Sequence, residues 1–210
     1  MNITILGASA GVGLLCVQRA LERKHNVTTL SRTIESLHEN PALSRIKGSA
    51  TDPENLKKVI AGADAVIVAL GTGNSTKATT LYTDAARALI HVQKELKTTA
   101  PFIVLTGFGA GNSGQYQGLL AKVLFKLLLE AVYKDKTRME ELIAASALRW
   151  EIVRPGMLNN KPLSEKYRVE TTYAKGMAIG SIARADVADF LVKQAESPTA
   201  LGKYPALSNK

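Results

Sequence analysis

The chain has 210 residues, 46% hydrophobic and 21% charged, which fits one globular domain with a sizeable core and excludes a disordered chain. Its net charge of +9 is scattered from Arg19 to Lys210, and aromatics make up only 5%, so nothing resembles the clustered basic stripe with stacking rings that reads nucleic acid. A single cysteine, Cys16, excludes an internal disulfide framework, and His25, His38 and His91 lack metal-ligand spacing.

Met1 leads straight into an apolar strand, Asn2–Leu6, without the basic, apolar and small-residue succession of a secretory leader, so a cytoplasmic protein is expected. The strand runs into Gly7-Ala8-Ser9-Ala10-Gly11-Val12-Gly13, and a helical pattern follows over Gly11–Arg23. Glycines allow a sharp turn and close backbone approach, and a helix N-terminus presents free N–H groups and partial positive charge. Strand, turn and helix together make a pyrophosphate site, so a dinucleotide ligand is expected at Gly7, Ser9, Ala10, Gly11, Val12 and Gly13. Cys16 lies on this helix among apolar neighbours and reads as a packed thiol.

The second strand, Asn26–Leu30, ends at Ser31-Arg32. A dinucleotide fold that prefers NAD places an Asp or Glu there for the ribose 2′-hydroxyl. Here Arg32 stands ready to clamp a 2′-phosphate, which favours NADP(H); the alternative is an ordinary surface arginine. A third strand, Ser44–Lys47, leads to Ala50-Thr51-Asp52. Asp52 is placed to accept from an adenine amino group, to cap the helix Pro53–Ile60, or both. The fourth strand, Ala65–Ala69, ends in Ala69-Leu70-Gly71, small enough for the backbone to approach a cofactor.

A helix over Tyr82–Glu95 and a fifth strand, Phe102–Thr106, come next. Thr106, at that strand's end, is a candidate for orienting nicotinamide or substrate, or for capping the strand. The pattern over Gly118–Ala131 is apolar except for Lys122, Lys126 and Glu130, which form one polar stripe. It is too short and too charged to cross a bilayer; the readings are a homodimer interface, an apolar pocket wall or plain core. Helices over Arg138–Ala145 and Arg184–Ala195 flank a sixth strand, Glu151–Arg154. Short β-branched strands alternating with helices predict a single doubly wound Rossmann-type α/β domain over residues 1–210, with a mostly parallel sheet.

The chain resembles the atypical short-chain dehydrogenases/reductases, specifically the NAD(P)H-binding, NmrA-like group that includes flavin and biliverdin-IXβ reductases. The resemblance rests on the Gly7–Gly13 turn, Ser31-Arg32, Ala50-Thr51-Asp52, Ala69-Leu70-Gly71, the stretch 104–110, Trp150 to Gly156, and Ile182 to Ala188. It implies that Thr51, Pro155, Gly156 and Met157 join the cofactor site, with the stretch Arg154-Pro155-Gly156 by the nicotinamide end. It also implies that Lys136, in a Lys136-x-x-x-Glu140 pattern, lies by the nicotinamide ribose; the alternative is a solvated i, i+4 pair. One departure is the spacing Gly7-x-x-x-Gly11-x-Gly13, which differs from the group's usual Gly-x-x-Gly-x-x-Gly.

The superfamily's Tyr-x-x-x-Lys pair is missing. Tyr133 and Lys136 come one residue short of it, a shift of about 100° around a helix, which argues against their acting together. Without a strong acid–base pair, two readings stand. One is an NADPH-dependent reductase of a small planar acceptor such as a flavin or quinone, with Phe108, Met157 and Leu158 as an apolar floor. The other is a non-catalytic NADP-binding sensor or assembly factor. Sugar epimerase or dehydratase activity is disfavoured by the missing pair and the short C-terminal part.

Overall fold

In the computed structural model, residues 1–73, 75–116, 129–174, 177 and 179–209 are described. The strands are β1 (Asn2–Leu6), β2 (Asn26–Ser31), β3 (Leu43–Lys47), β4 (Ala65–Val68), β5 (Pro101–Leu105), β6 (Arg149–Pro155), β7 (Met157–Asn159), β8 (Tyr167–Glu170), β9 (Ser181–Ala183) and β10 (Ala206–Asn209). The helices are α1 (Gly11–Glu22), α2 (Pro53–Ile60), α3 (Leu81–Leu96), α4 (Glu130–Ala144) and α5 (Arg184–Glu196), and Gly111–Tyr116 forms a 3₁₀ turn.

Eight strands form one sheet in the order β3-β2-β1-β4-β5-β6-β10-β8, parallel except for β8 against β10. This is the doubly wound arrangement, and the strand order reverses between β1 and β4. A ligand in such a sheet lies in the crevice beyond the carboxyl ends of the strands at that switch point.

Residues alternate between the two faces of each strand, and in the central strands β1, β4 and β5 both faces are buried. Ile3, Ile5, Ile67, Ile103 and Val153 join one core with Val17 of α1 and Val187 and Leu191 of α5. Leu6, Val66, Val68, Phe102, Val104 and Ile152 join the other with Leu56, Leu89 and Met139. Across the first core, Arg19 of α1 donates to Asp189 of α5 at 2.9 Å, and Asp189 also accepts from the Tyr167 hydroxyl at 2.9 Å.

The six expected strands are present, within one or two residues at their ends. The expected helix over Arg138–Ala145 begins already at Glu130. Most of the Gly118–Ala131 pattern, and with it the expected homodimer face, lies outside the described residues; Glu130 and Ala131 open α4. Four short strands, β7 to β10, escaped the sequence reading because each has only three or four residues and depends on a distant partner.

Candidate active site at the carboxyl edge of the sheet

The glycine turn sits at the switch point. Gly7 has φ +83°, and a Cβ there would lie 2.6 Å from the Ala69 carbonyl oxygen, so β1 and β4 end in direct backbone contact. A Cβ on Gly13 would lie 2.1 Å from the Gly7 carbonyl oxygen, so α1 starts hard against the turn. Ala10 caps α1 without a side-chain acceptor, and the first turn holds no acid. This N-terminus therefore suits an anion, which is the chemistry a pyrophosphate needs.

Ser31 is buried, and its Oγ accepts the Ala8 N–H at 2.8 Å. Its role is to hold the turn in place. Arg32, the next residue, is exposed and forms no ion pair among the described residues. Ser9 receives a bond on its carbonyl from Ser36 Oγ at 2.6 Å. Asp52 caps α2: its Oδ1 accepts from Glu54 N at 2.9 Å and Asn55 N at 3.4 Å. Thr51 shares a hydroxyl contact of 2.8 Å with Ser49. Ala69 is buried, Leu70 partly so, and Gly71 exposed at the mouth of the crevice.

The second half of the site lies past β5 and β6. Thr106 is buried, and its Oγ1 donates to Glu140 Oε1 at 2.6 Å. Its carbonyl accepts from Lys136 Nζ at 2.7 Å. Glu140 pairs with Arg154: Arg154 Nη2 donates to Oε2 at 2.6 Å and Nε to Oε1 at 3.1 Å, with both side chains almost fully buried. The solvated Lys136–Glu140 pair considered from the sequence is thus overturned, because Glu140 turns inward to meet a buried guanidinium.

Tyr133 and Lys136 do not make the missing pair, yet they lie side by side. Residues three apart on a helix are neighbours, and Lys136 Nζ lies 5.0 Å from the Tyr133 ring centroid. On its other side the same ammonium lies 5.3 Å from the Tyr82 ring centroid. Burial pulls the Lys136 ammonium down to about 8, with Glu140 opposing. Burial pushes the Tyr133 phenol up to about 12, helped by Tyr82 and Glu140. A Cβ on Gly107 would come 2.6 Å from the Tyr133 hydroxyl, so that phenol lies against the backbone just beyond β5.

Tyr82 reaches this cluster because of Asp135. The N-cap residue of α3, Thr80, makes no side-chain cap bond, and Asp135 of α4 accepts from Tyr82 N at 2.9 Å and Thr83 N at 3.1 Å. Tyr82 carried no signal in the sequence. Glu140 stood there only as the end of the Lys136-x-x-x-Glu140 pattern, and Arg154 only as the start of the stretch that the resemblance places near the nicotinamide.

The apolar floor expected from Phe108, Met157 and Leu158 does not form as one surface. Phe108 is buried and packs edge-on to Tyr173 with ring centroids 5.6 Å apart. Met157 is 74% exposed, and Leu158 packs on the first core from the β7–β9 pair. The cause is the chain direction after Pro155: that residue is buried, its carbonyl accepts from Phe108 N, and a Cβ on Gly156 would lie 2.1 Å from the Gly180 carbonyl oxygen. The chain therefore turns at Gly156 and leaves Met157 outside.

A family model described as NAD(P)H-binding matches residues 7–198, nearly the whole chain, and the protein belongs to this family. It therefore binds a nicotinamide dinucleotide. The chain is 25% identical over 202 residues to YhfK of Bacillus subtilis (strain 168), described as an uncharacterized sugar epimerase; the match covers 91% of this chain and 86% of that one. Its fold is similar to a short-chain dehydrogenase/reductase of Veillonella parvula DSM 2008 in complex with NADP, at TM-score 0.83 and 18% identity, covering 99% and 94% of the two chains. It is also similar to SP1627 of Streptococcus pneumoniae TIGR4, a putative NADH-flavin reductase, at TM-score 0.79 and 24% identity, with 100% of both chains covered. No helix among the described residues is long and apolar enough to cross a membrane.

Proposed function

We propose that this protein is an NADPH-dependent reductase that passes hydride to a small planar acceptor such as a flavin or quinone. The observation that carries this reading is the lysine set between two phenols at the end of β5, on the same sheet edge as the glycine turn. The turn and the α1 N-terminus hold the pyrophosphate, and Arg32 clamps the 2′-phosphate. Asp52, Thr51 and Ala69 to Gly71 line the adenosine half, and Pro155 and Gly156 the nicotinamide half. When bound, the nicotinamide supplies the hydride.

The Lys136 ammonium has three donors and gives one to the Thr106 carbonyl, which leaves two for a ribose hydroxyl or an acceptor oxygen. The Tyr133 phenol stays protonated at neutral pH and so cannot serve as a base there. A site of this kind suits an acceptor that takes hydride readily and draws its protons from solvent. The flavin-reductase name carried by one structural neighbour agrees with that chemistry.

The test follows NADPH oxidation with FMN, a benzoquinone and a linear tetrapyrrole as separate acceptors. Turnover with at least one of them is expected. Micromolar NADP binding without turnover above background would overturn the reductase reading and leave a non-catalytic NADP-binding sensor. For cofactor choice, Arg32→Ala should weaken NADPH binding by about tenfold, the worth of one charge-assisted contact, and leave NADH binding unchanged. An unaltered NADPH to NADH preference, measured by titration of nicotinamide fluorescence, would refute the 2′-phosphate role.

A further inference from the structure

The buried Glu140–Arg154 pair has more partners than a core ion pair needs. On one side it holds the 3₁₀ turn. Arg154 Nη1 donates to Asn112 Oδ1 at 2.8 Å. Gly111, at φ +54°, brings its backbone so close that a Cβ there would lie 2.4 Å from Glu140 Oε2 and 2.5 Å from Arg154 Nη2. Gly111 N also donates to Thr137 Oγ1 of α4 at 2.9 Å. The turn is therefore seated on the pair by backbone and side chain together.

On the other side the pair holds the chain that follows β8. The Arg154 guanidinium carbon lies 5.8 Å from the Tyr173 ring centroid and 4.2 Å from that of Tyr204. The Tyr173 hydroxyl donates to the Tyr204 carbonyl. Tyr173 in turn packs edge-on against Tyr116 at the end of the 3₁₀ turn, with centroids 5.5 Å apart, and against Phe108. Two segments far apart in sequence thus meet as one aromatic wall above a single cation. Tyr116 and Tyr173 are only partly buried, so the wall keeps a solvent-facing side. Thr106, whose hydroxyl donates to the same Glu140, ties this anchor to the Lys136 ammonium, which donates to the Thr106 carbonyl at the end of β5.

We infer that Glu140 and Arg154 are positioning residues that set the Tyr116–Tyr173 wall against which a planar acceptor lies. This rests on the reductase reading above. A cation fixed by a bidentate carboxylate is stiff, and a guanidinium lies flat under aromatic rings. The pair does not touch the glycine turn, so loosening it should weaken acceptor binding more than NADP binding.

The test compares Arg154→Lys, Asn112→Ala and Tyr173→Phe with the wild-type chain in two measurements. In hydrogen exchange, Arg154→Lys should raise deuterium uptake in the peptides covering 111–116 and 167–174 and leave that of the Gly7–Gly13 peptide unchanged. In steady-state kinetics with FMN, the acceptor KM should rise about tenfold in Arg154→Lys and about threefold in each lighter variant, with the NADPH Kd of Asn112→Ala and Tyr173→Phe within twofold of wild type. Should Arg154→Lys fail to fold, Asn112→Ala and Tyr173→Phe carry the same test, because neither breaks the ion pair. Unchanged uptake in both peptides overturns the anchor, whatever the turnover. Raised uptake with an unchanged FMN KM overturns the link to the acceptor. An NADPH Kd weakened in step with the acceptor KM in Asn112→Ala and Tyr173→Phe overturns it too, because the effect would then be general. Absence of turnover in the wild-type protein is a different result: it refutes the reductase reading, and the exchange measurement still decides the anchor.

Discussion

Lys136 shows how burial alone gives an ordinary residue a new chemistry. Its ammonium is drawn down to about 8 by desolvation, so its charge is lost within reach of working pH. If the charged form binds substrate or ribose, kcat/KM should be flat below pH 7 and fall as pH rises through about 8. Lys136→Met should lower kcat/KM at pH 7 and remove that limb; a limb that persists in the variant would assign it elsewhere. Glu151 shows the same force acting on an acid. Both its carboxylate oxygens are buried and make no hydrogen bond of good geometry among the described residues. Burial pushes the group up to about 7, the Ala200 backbone opposing. Its folded-state value lies above its unfolded one, so the folded chain binds the proton more tightly. Stability should therefore be greatest below about pH 4.5 for this group and decline as pH rises through 7. Glu151→Gln should remove that decline, which urea unfolding at pH 5 and pH 8 would register.

At the scale of the element, α4 concentrates functions that its sequence disguises. Tyr133 and Lys136 project toward the end of β5, Asp135 caps α3, and Glu140 meets Arg154. The helical period explains the division: residues 133, 136 and 140 lie three and four apart and share one face, whereas 135 turns to a neighbouring helix. Asp135 accepts from two backbone N–H groups and the Thr83 hydroxyl. Asp135→Ala should destabilise the protein by about 2–3 kcal/mol, because it leaves buried donors unpaired. It should also reduce turnover by letting Tyr82 move from Lys136. Chemical denaturation and NADPH oxidation on the same sample would check both; a change in stability below 1 kcal/mol would count against the cap.

Across the whole molecule, the parallel sheet places the carboxyl ends of β1, β4, β5 and β6 along one edge. The two halves of the candidate site come from residues 7–71 and 82–156, so a dinucleotide bound across both would tie Gly7 to residues beyond 100. Binding only to the folded state should stabilise the protein by about 2.7 kcal/mol at a hundredfold excess over Kd. For a chain of this size that corresponds to a rise in Tm of roughly 5–11 °C. Thermal scans with NADP, NAD and no ligand would measure it. No shift with either nucleotide would contradict the site built here, and a larger shift with NADP than NAD would support Arg32 as the selector.

The sequence by itself determined the strand–turn–helix at Gly7–Gly13, the six principal strands and the Asp52 cap, because each is a local pattern of period, glycine or capping chemistry. It also carried the family, through motifs spread along most of the chain. Only the tertiary structure decided which side chains gather beyond β5 and β6. Glu140 reads as a surface residue until Arg154 is brought under it, and Tyr133 with Lys136 looks mis-spaced until Thr106 and Tyr82 close around them. Those contacts join residues 14 to 54 apart in sequence. A single chain read in order cannot reveal them, since a buried charge is recognised by its partner and not by its neighbours.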